Sequence, residues 1–170
     1  FWFSEDCKKC WFNSTPEYDQ LIKQKFMSVW QSAAQGELDE WSKETFSALA
    51  LVIILDQFPL NMFRGDAASF STEAASREVA AYAVDQGFDK NFDNDQKLFM
   101  YLPFMHSEKL DDQDMAVKLF SDAGMETRWA EHHRDIIRQF GRFPHRNVIL
   151  GRQSNQTEIE WLNSTQAFKG

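Results

Sequence analysis

The segment FGRFPHRN, residues 140–147, sets Arg142, His145 and Arg146 beside two phenylalanines, a proline and Asn147. Two guanidiniums and an imidazole on one proline-stiffened turn can offer forked donors to a carboxylate or a phosphate. Two other proline-bearing stretches carry related chemistry. LDQFPLNMFRG (55–65) contains Asp56, Gln57, Asn61 and Arg64, and YLPFMHSE (101–108) contains His106 and Glu108. Proline fixes its own φ and biases its predecessor toward extended geometry, so all three stretches are expected to be rigid turns at helix ends. If they converge, Arg64, Arg142 and Arg146 would hold an anionic group. His106 and His145 would then be the proton carriers, Asp56 and Glu108 their orienters, and Gln57, Asn61 and Asn147 neutral hydrogen-bond partners. A small anionic or carboxylate-bearing molecule is the ligand these residues suit.

Hydrolysis or proton transfer fits this set better than redox chemistry. Whether the chain is an enzyme stays open. No G-x-G-x-x-G, P-loop or G-x-S-x-G motif occurs, and no cofactor is expected. The H-x-E of His106 and Glu108 lacks the downstream P-C-x-x-C of the zinc deaminases. The adjacent histidines of EHHRD (131–135) point to different helix faces, so no metal site is expected either. A plainer reading competes: the arginines pair with Asp56, Glu108 or the C-terminal helix and lock helix ends. Asp56 ends the most apolar helix and needs a partner if buried, with Arg64 or Arg142 the best placed. Cys7 and Cys10 form a C-x-x-C with no second pair and no βαβ pattern around it, and are read as incidental.

The elements that must position these residues are helical. In NSTPEYDQLIKQKFMSVWQSAAQG, Ser14 and Glu17 have capping-box spacing and Pro16 lies in the first turn. A second helix is expected from about Ser42 to Leu55, its last two turns apolar on every side and the helix therefore central. STEAASREVAAYAVDQG is expected to be a third, capped at Ser71 or Thr72, and DNDQKLFMYLP a short fourth stopped by Pro103. SEKLDDQDMAVKLFSDAG, METRWAEHHRDIIRQFG and TEIEWLN complete about seven helices. No alternating run with hairpin signals occurs, and short connections predict antiparallel helix pairs. Residues 55–65 and 140–152 each place Phe-Pro, then Asn, then Gly next to Arg, which hints at a helical unit used twice. The expected architecture is all-α, one domain over residues 1–170, with a tetratricopeptide-like helical-repeat arrangement.

Bulk composition sets the limits. Folding 170 residues buries roughly 70% of the unfolded surface, so no disulfide or metal staple is needed. A net charge of −8, from 18 basic and 26 acidic residues, argues against nucleic-acid and anionic-membrane partners. The longest apolar run, ALALVIIL (48–55), falls short of the ~20 residues that span a bilayer. The chain opens at Phe1 rather than Met, so its extreme N-terminus is expected to be missing. Free thiols and the lack of a visible signal peptide point to the cytoplasm.

LALVIILDQFPLNMFRG, FMYLPFMHSE and FGRFPHRNVILGR, in that order, resemble the bacterial family known as domain of unknown function 924. Trp11–Phe12 and WLNS near the end extend the similarity over nearly the whole chain. The resemblance implies a tetratricopeptide-like all-helical fold more firmly than it implies a function. It also implies that Asp56, Gln57, Asn61, Arg64, His106, Glu108, Arg142, His145, Arg146 and Asn147, with Pro59, Gly65, Pro103, Gly141, Phe143 and Pro144, occupy the family's motif positions. Where that pattern usually carries Arg between Pro59 and Asn61, this chain has Leu60, so a cation needed there would have to come from Arg64. No W-x-x-L-G consensus of true tetratricopeptide repeats is present. Such folds commonly bind peptides in a groove, so a protein-interaction module with structural charged turns is the alternative function.

Overall fold

The computed structural model describes residues 1–165 and 167. Among these there are eight α-helices, four short 3₁₀ segments and no strand, as the all-α reading expects. The helices are α1 Glu5–Lys8, α2 Pro16–Ala34, α3 Thr45–Met62, α4 Glu73–Asp85, α5 Asn94–Met105, α6 Leu110–Asp122, α7 Arg128–Phe140 and α8 Gln156–Leu162. The chain forms two compact units. The first comprises Phe1–Arg64 and Ala68–Pro103, the second Gly65–Ala67 and Phe104–Gly170.

The first unit is organised by α3, which packs against α2 and α4. Leu49, Leu51, Val52, Ile53, Ile54, Leu55 and Phe58 are all buried, so the helix has no solvent face over these turns. By length and composition α3 passes for a membrane span, but 72% of it is buried within the protein, as befits a core helix. Aromatic rings complete this core. Trp2 meets Phe58 and Phe99 edge-on at 5.5 and 5.4 Å, and Phe26 stacks on Phe58 at 4.5 Å.

Two prolines do not end helices as expected. Pro59 lies inside α3, which continues to Met62, and Pro103 lies inside α5, which continues to Met105. Of the three supposed turns, only Pro144 follows a helix end, where it opens the 3₁₀ segment Pro144–Arg146. The two Phe-Pro segments therefore have different backbone settings. Proline is tolerated in α3 because the carbonyl it frees finds another donor. Pro59 has no N–H for Leu55 O, four residues back, and the Thr72 hydroxyl donates to that oxygen at 2.5 Å. The Ser76 hydroxyl of α4 also donates to a carbonyl of α3, Val52 O, at 3.2 Å. Thr72 thus precedes α4 without capping it, contrary to the sequence reading. At α2 the cap is Thr15, whose hydroxyl accepts from Tyr18 N, and Ser14 instead donates to Asp19.

The second unit is built on α6 packed against α7. Ile136, Ile137, Phe143 and Trp161 form its apolar centre, with Phe140 and Leu162 against them. Gly141 ends α7 in the left-handed region at φ 69°, the conformation in which glycine alone is unstrained. Gln113 of α6 is fully buried, and its amide Nε2 donates to Met105 O at 2.7 Å and Ser107 O at 2.6 Å. One side chain thereby holds the backbone on either side of His106.

Replacing Thr72 by Val keeps the shape and removes the donor to Leu55 O. The buried carbonyl is then unpaired, and stability should fall by about 1–3 kcal/mol, read as a drop in Tm. An unchanged Tm would mean that α3 tolerates Pro59 for another reason.

Candidate functional site

The sequence-selected residues divide between the units. Asp56, Gln57, Asn61 and Arg64 belong to the first; His106, Glu108, Arg142, His145, Arg146 and Asn147 belong to the second.

In the first unit, Gln57, Asn61 and Arg64 recur at four- and three-residue spacing along and just past the end of α3, so they follow one face. Asp56 and Gln57 are buried, and Gln57 Nε2 donates to Asp56 Oδ2 at 2.5 Å. Arg64 goes to Asp19, a residue the sequence reading missed. Its Nε and Nη2 donate to the two carboxylate oxygens at 2.6 and 3.1 Å. Asn61 Nδ2 and the Ser14 hydroxyl each donate to Asp19 Oδ1 at 2.7 Å. Burial works against the Asp19 charge, but Arg64, Asn61 and Ser14 outweigh it and hold the carboxyl below its ordinary range. The assembly ties the start of α2 to the end of α3. Nothing in the bare sequence marked Asp19, an acidic residue in a helix first turn like many others.

In the second unit the carboxylates are held closely. Glu108 accepts from Phe143 N at 2.8 Å and from Arg152 Nη1 and Nη2 at 2.7 and 2.9 Å. Arg152 also reaches Phe143 O and Asn147 Oδ1, and Asn147 Nδ2 donates to Ser154. Burial pushes Glu108 up, yet Arg152 and the Phe143 N–H prevail and its carboxyl lies below the usual range. Arg142 forms a second fork: Nε and Nη2 donate to Glu158 at 2.6 and 2.8 Å. Glu158 is buried, closes a capping box with Asn155 at the start of α8, and is pushed down to about 2, chiefly by Arg142. The arginine pairs expected for Asp56 thus go elsewhere, Arg64 to Asp19 and Arg142 to the C-terminal helix. Each is a forked pair, two nitrogens of one guanidinium donating to one carboxylate.

The remaining groups gather around Phe143, which is itself fully buried. The rings of His133 and His145 lie 5.7 and 5.5 Å from it, and the Arg146 guanidinium sits over it at 4.7 Å. His133 and Arg146 are both buried. Burial drives His145 down to about 4, helped by Arg146 and opposed by Glu108; His106 adds to the effect. Burial likewise drives His133 down to about 3, against a 2.8 Å hydrogen bond between its Nδ1 and Trp129 O. Both imidazoles are neutral at pH 7. With Nδ1–H donating to the carbonyl, His133 presents Nε2 as a lone-pair acceptor. The sequence reading weighed His133 only as half of an adjacent pair for a metal, although Ala130, His133, Ile137 and Phe140 at three- and four-residue steps mark the apolar face of α7. Arg152 and Glu158 were also legible, one beside Gly151 in the quoted motif and the other three residues after Asn155. Among the described residues no three His, Cys, Asp or Glu side chains are grouped for a metal.

A family model described as bacterial protein of unknown function (DUF924) matches residues 1–166. The chain belongs to that family. It is also similar to a solved structure, a protein of unknown function, ATU0120, from Agrobacterium tumefaciens. The two are 39% identical over 91% of this chain and 89% of that one, with a TM-score of 0.88. No curated protein matches the chain.

Removing Arg152 leaves Glu108 without its fork, so Arg152→Ala should lower stability by about 2–3 kcal/mol. Arg138→Ala breaks only exposed pairs to Asp114 and Asp135 and should change it by less than about 0.5 kcal/mol. Urea unfolding of the two variants checks the contrast.

The histidines give a separate pH signature. Their folded pKa values lie below the unfolded one, so the unfolded chain binds more protons on acidification. Their contribution is complete above pH ~6.5 and is lost on descent toward about 4 and 3, at up to about 1.4 kcal/mol per pH unit for each. Asp19, Glu108 and Glu158 act in the same direction, but only below the ordinary carboxylate range near ~4.5. His145→Gln should therefore flatten the stability profile between pH 6.5 and 4.5, as measured by denaturant unfolding.

Proposed function

We propose that the second unit binds a small anionic or carboxylate-bearing molecule at the His145–Arg146 turn. The observation that carries this reading is the gathering of His133, His145 and Arg146 around Phe143, within electrostatic reach of His106. Arg146 supplies a forked donor, and a neutral imidazole supplies both a donor and an acceptor. An anion beside them favours the protonated imidazoles, so it binds more tightly as pH falls. In this reading Arg142, Glu108 and Asn147 frame the site through Glu158, Arg152 and Ser154, and Arg64 and Asn61 frame the first unit through Asp19. Hydrolysis is the reaction this toolkit favours, with His145 as proton acceptor. A histidine held near 4 is a weak base, however, so binding is the stronger part of the proposal.

The test is a thermal-shift panel of phosphate, mono- and dicarboxylates and sugar acids at pH 5.5 and 7.5, on wild type and Arg146→Gln. One anion class at ~100 times its Kd should add about 2.7 kcal/mol, or roughly 5–10 °C. The shift should be larger at pH 5.5 and lost in Arg146→Gln. A flat panel at both pH values, with both proteins folded, overturns the reading.

A protein-interaction module is the second reading. It is favoured by Trp129 and Val148, large apolar side chains left 50% and 87% exposed, and by the internal partners of Arg142 and Glu108. Capture of a partner that survives Arg146→Gln but fails on Trp129→Ala would support it.

A further inference from the structure

Arg134 of α7 takes no part in the site proposed above. Only 20% of its side chain is exposed, and its Nε is buried without a hydrogen-bond partner. Its one ion pair, from Nη1 to Asp114 Oδ1 of α6, spans 3.6 Å, too far for a hydrogen bond. Arg138, one turn further along α7, takes the same oxygen through Nη2 at 3.1 Å. The other pair of Arg138, Nη1 to Asp135, is longer still at 3.8 Å. Two guanidiniums therefore lean on one carboxylate oxygen, and neither makes a fork.

The rest of the chain supplies the contrast. Arg64, Arg142 and Arg152 each give two nitrogens to a single carboxylate at 2.6–3.1 Å. No carboxylate does this for Arg134 among the described residues. A guanidinium largely withdrawn from water has given up its hydrogen bonds to solvent, and a carboxylate 3.6 Å away does not return them. Like charges one turn apart on a helix also repel each other. Arg134, Arg138 and Asp114 carry two positive charges and one negative, a net of +1. Asp135, 68% exposed, stands out in the solvent and offsets that charge only weakly.

We propose that Arg134 and Arg138, on the face of α7 that meets α6, bind a carboxylate, either free or carried on an acidic peptide. The planar carboxylate matches the guanidinium fork that Arg134 does not make internally. Its single negative charge balances the net +1, which a phosphate dianion would overshoot. Arg138 and Asp114 are each 48% exposed, so the ligand reaches Arg134 from solvent between them. Asp114 is the internal competitor: the ligand takes the guanidinium nitrogens, and Asp114 turns toward water. The site shares no residue with the His145–Arg146 turn and does not depend on that reading.

Acetate, succinate and a glutamate-rich octapeptide are titrated by calorimetry at pH 7.5, in a zwitterionic buffer, into the full chain and into Arg146→Gln, which removes the other anion site. Arg146→Gln should still bind at least one of the three, and adding Arg134→Gln should abolish that binding. Binding of the peptide alone would place the carboxylate on a partner chain, and binding of acetate or succinate would make it a free small acid. Arg134→Lys keeps the charge without the fork and should weaken binding about tenfold, the scale of one charge-assisted hydrogen bond. Asp114→Asn removes the competitor and should tighten binding up to about fivefold, the scale of an exposed ion pair. Without ligand, Arg134→Gln should leave Tm unchanged or higher, because its donors are unmet in the folded chain. The proposal falls if wild type binds and Arg146→Gln does not, a result that leaves the His145–Arg146 reading standing. Silence of both proteins toward all three probes also ends it, and the anion panel described above then decides the other reading. A lower Tm for Arg134→Gln would mark the arginine as architectural and overturn the site. If that variant does not fold, Asp114→Asn decides alone: unchanged or weaker binding overturns the proposal.

Discussion

The second unit depends on one carboxylate. Glu108 sits just after the end of α5 and accepts simultaneously from a backbone N–H at Phe143 and from both terminal nitrogens of Arg152. A partly buried charge is tolerable only when its hydrogen bonds are made, and here three donors from a segment distant in sequence meet that requirement. The consequence spreads outward. Arg152, held by Glu108, carries Asn147 with it, and Asn147 carries Ser154. The backbone between Phe143 and Ser154 is thus fixed with only the short 3₁₀ segment Pro144–Arg146 as a regular element. His145 and Arg146 lie inside that fixed span.

The same economy recurs wherever the chain breaks a rule. Pro59 interrupts the hydrogen bonding of the most buried helix, and a hydroxyl from the next helix takes the abandoned carbonyl. Glu158 is buried yet charged, because a capping box and the Arg142 fork supply its donors. Gln113 is fully buried, and its amide nitrogen serves the carbonyls around His106. These interactions are architectural and explain why so much charge lies near helix ends. His133, His145 and Arg146 cluster on one ring, where burial keeps both imidazoles neutral and the guanidinium adds to that at His145.

Much of this was legible in the residues. The apolar run 48–55 announced a core helix because no polar face interrupts it, and the helix count was approached from caps and glycine stops alone. The resemblance carried by the three motifs matched the family found. Ion pairing was foreseen in kind, including the option that an arginine reaches the C-terminal helix. The particular partners were not, since nothing along the chain says that Arg64 takes Asp19 or that Arg152 takes Glu108. Thr72 illustrates the limit well: its position before α4 predicts a cap, but a carbonyl seventeen residues earlier in the chain needed its hydroxyl more.

Sequence alone determined where seven of the eight α-helices lie, α1 excepted, that the chain folds without strands among the described residues, and which residue types crowd the proline-bearing stretches. Those properties follow from periodicity, capping and side-chain chemistry, which act over a turn or two of chain. Tertiary structure decided whether a proline stops a helix or lies within it, which arginine takes which carboxylate, and which histidines are buried and neutral. Each of these depends on the donor or acceptor that another part of the chain brings within about 3 Å, and on how much water is excluded when it arrives. Spacing along the chain contains neither quantity.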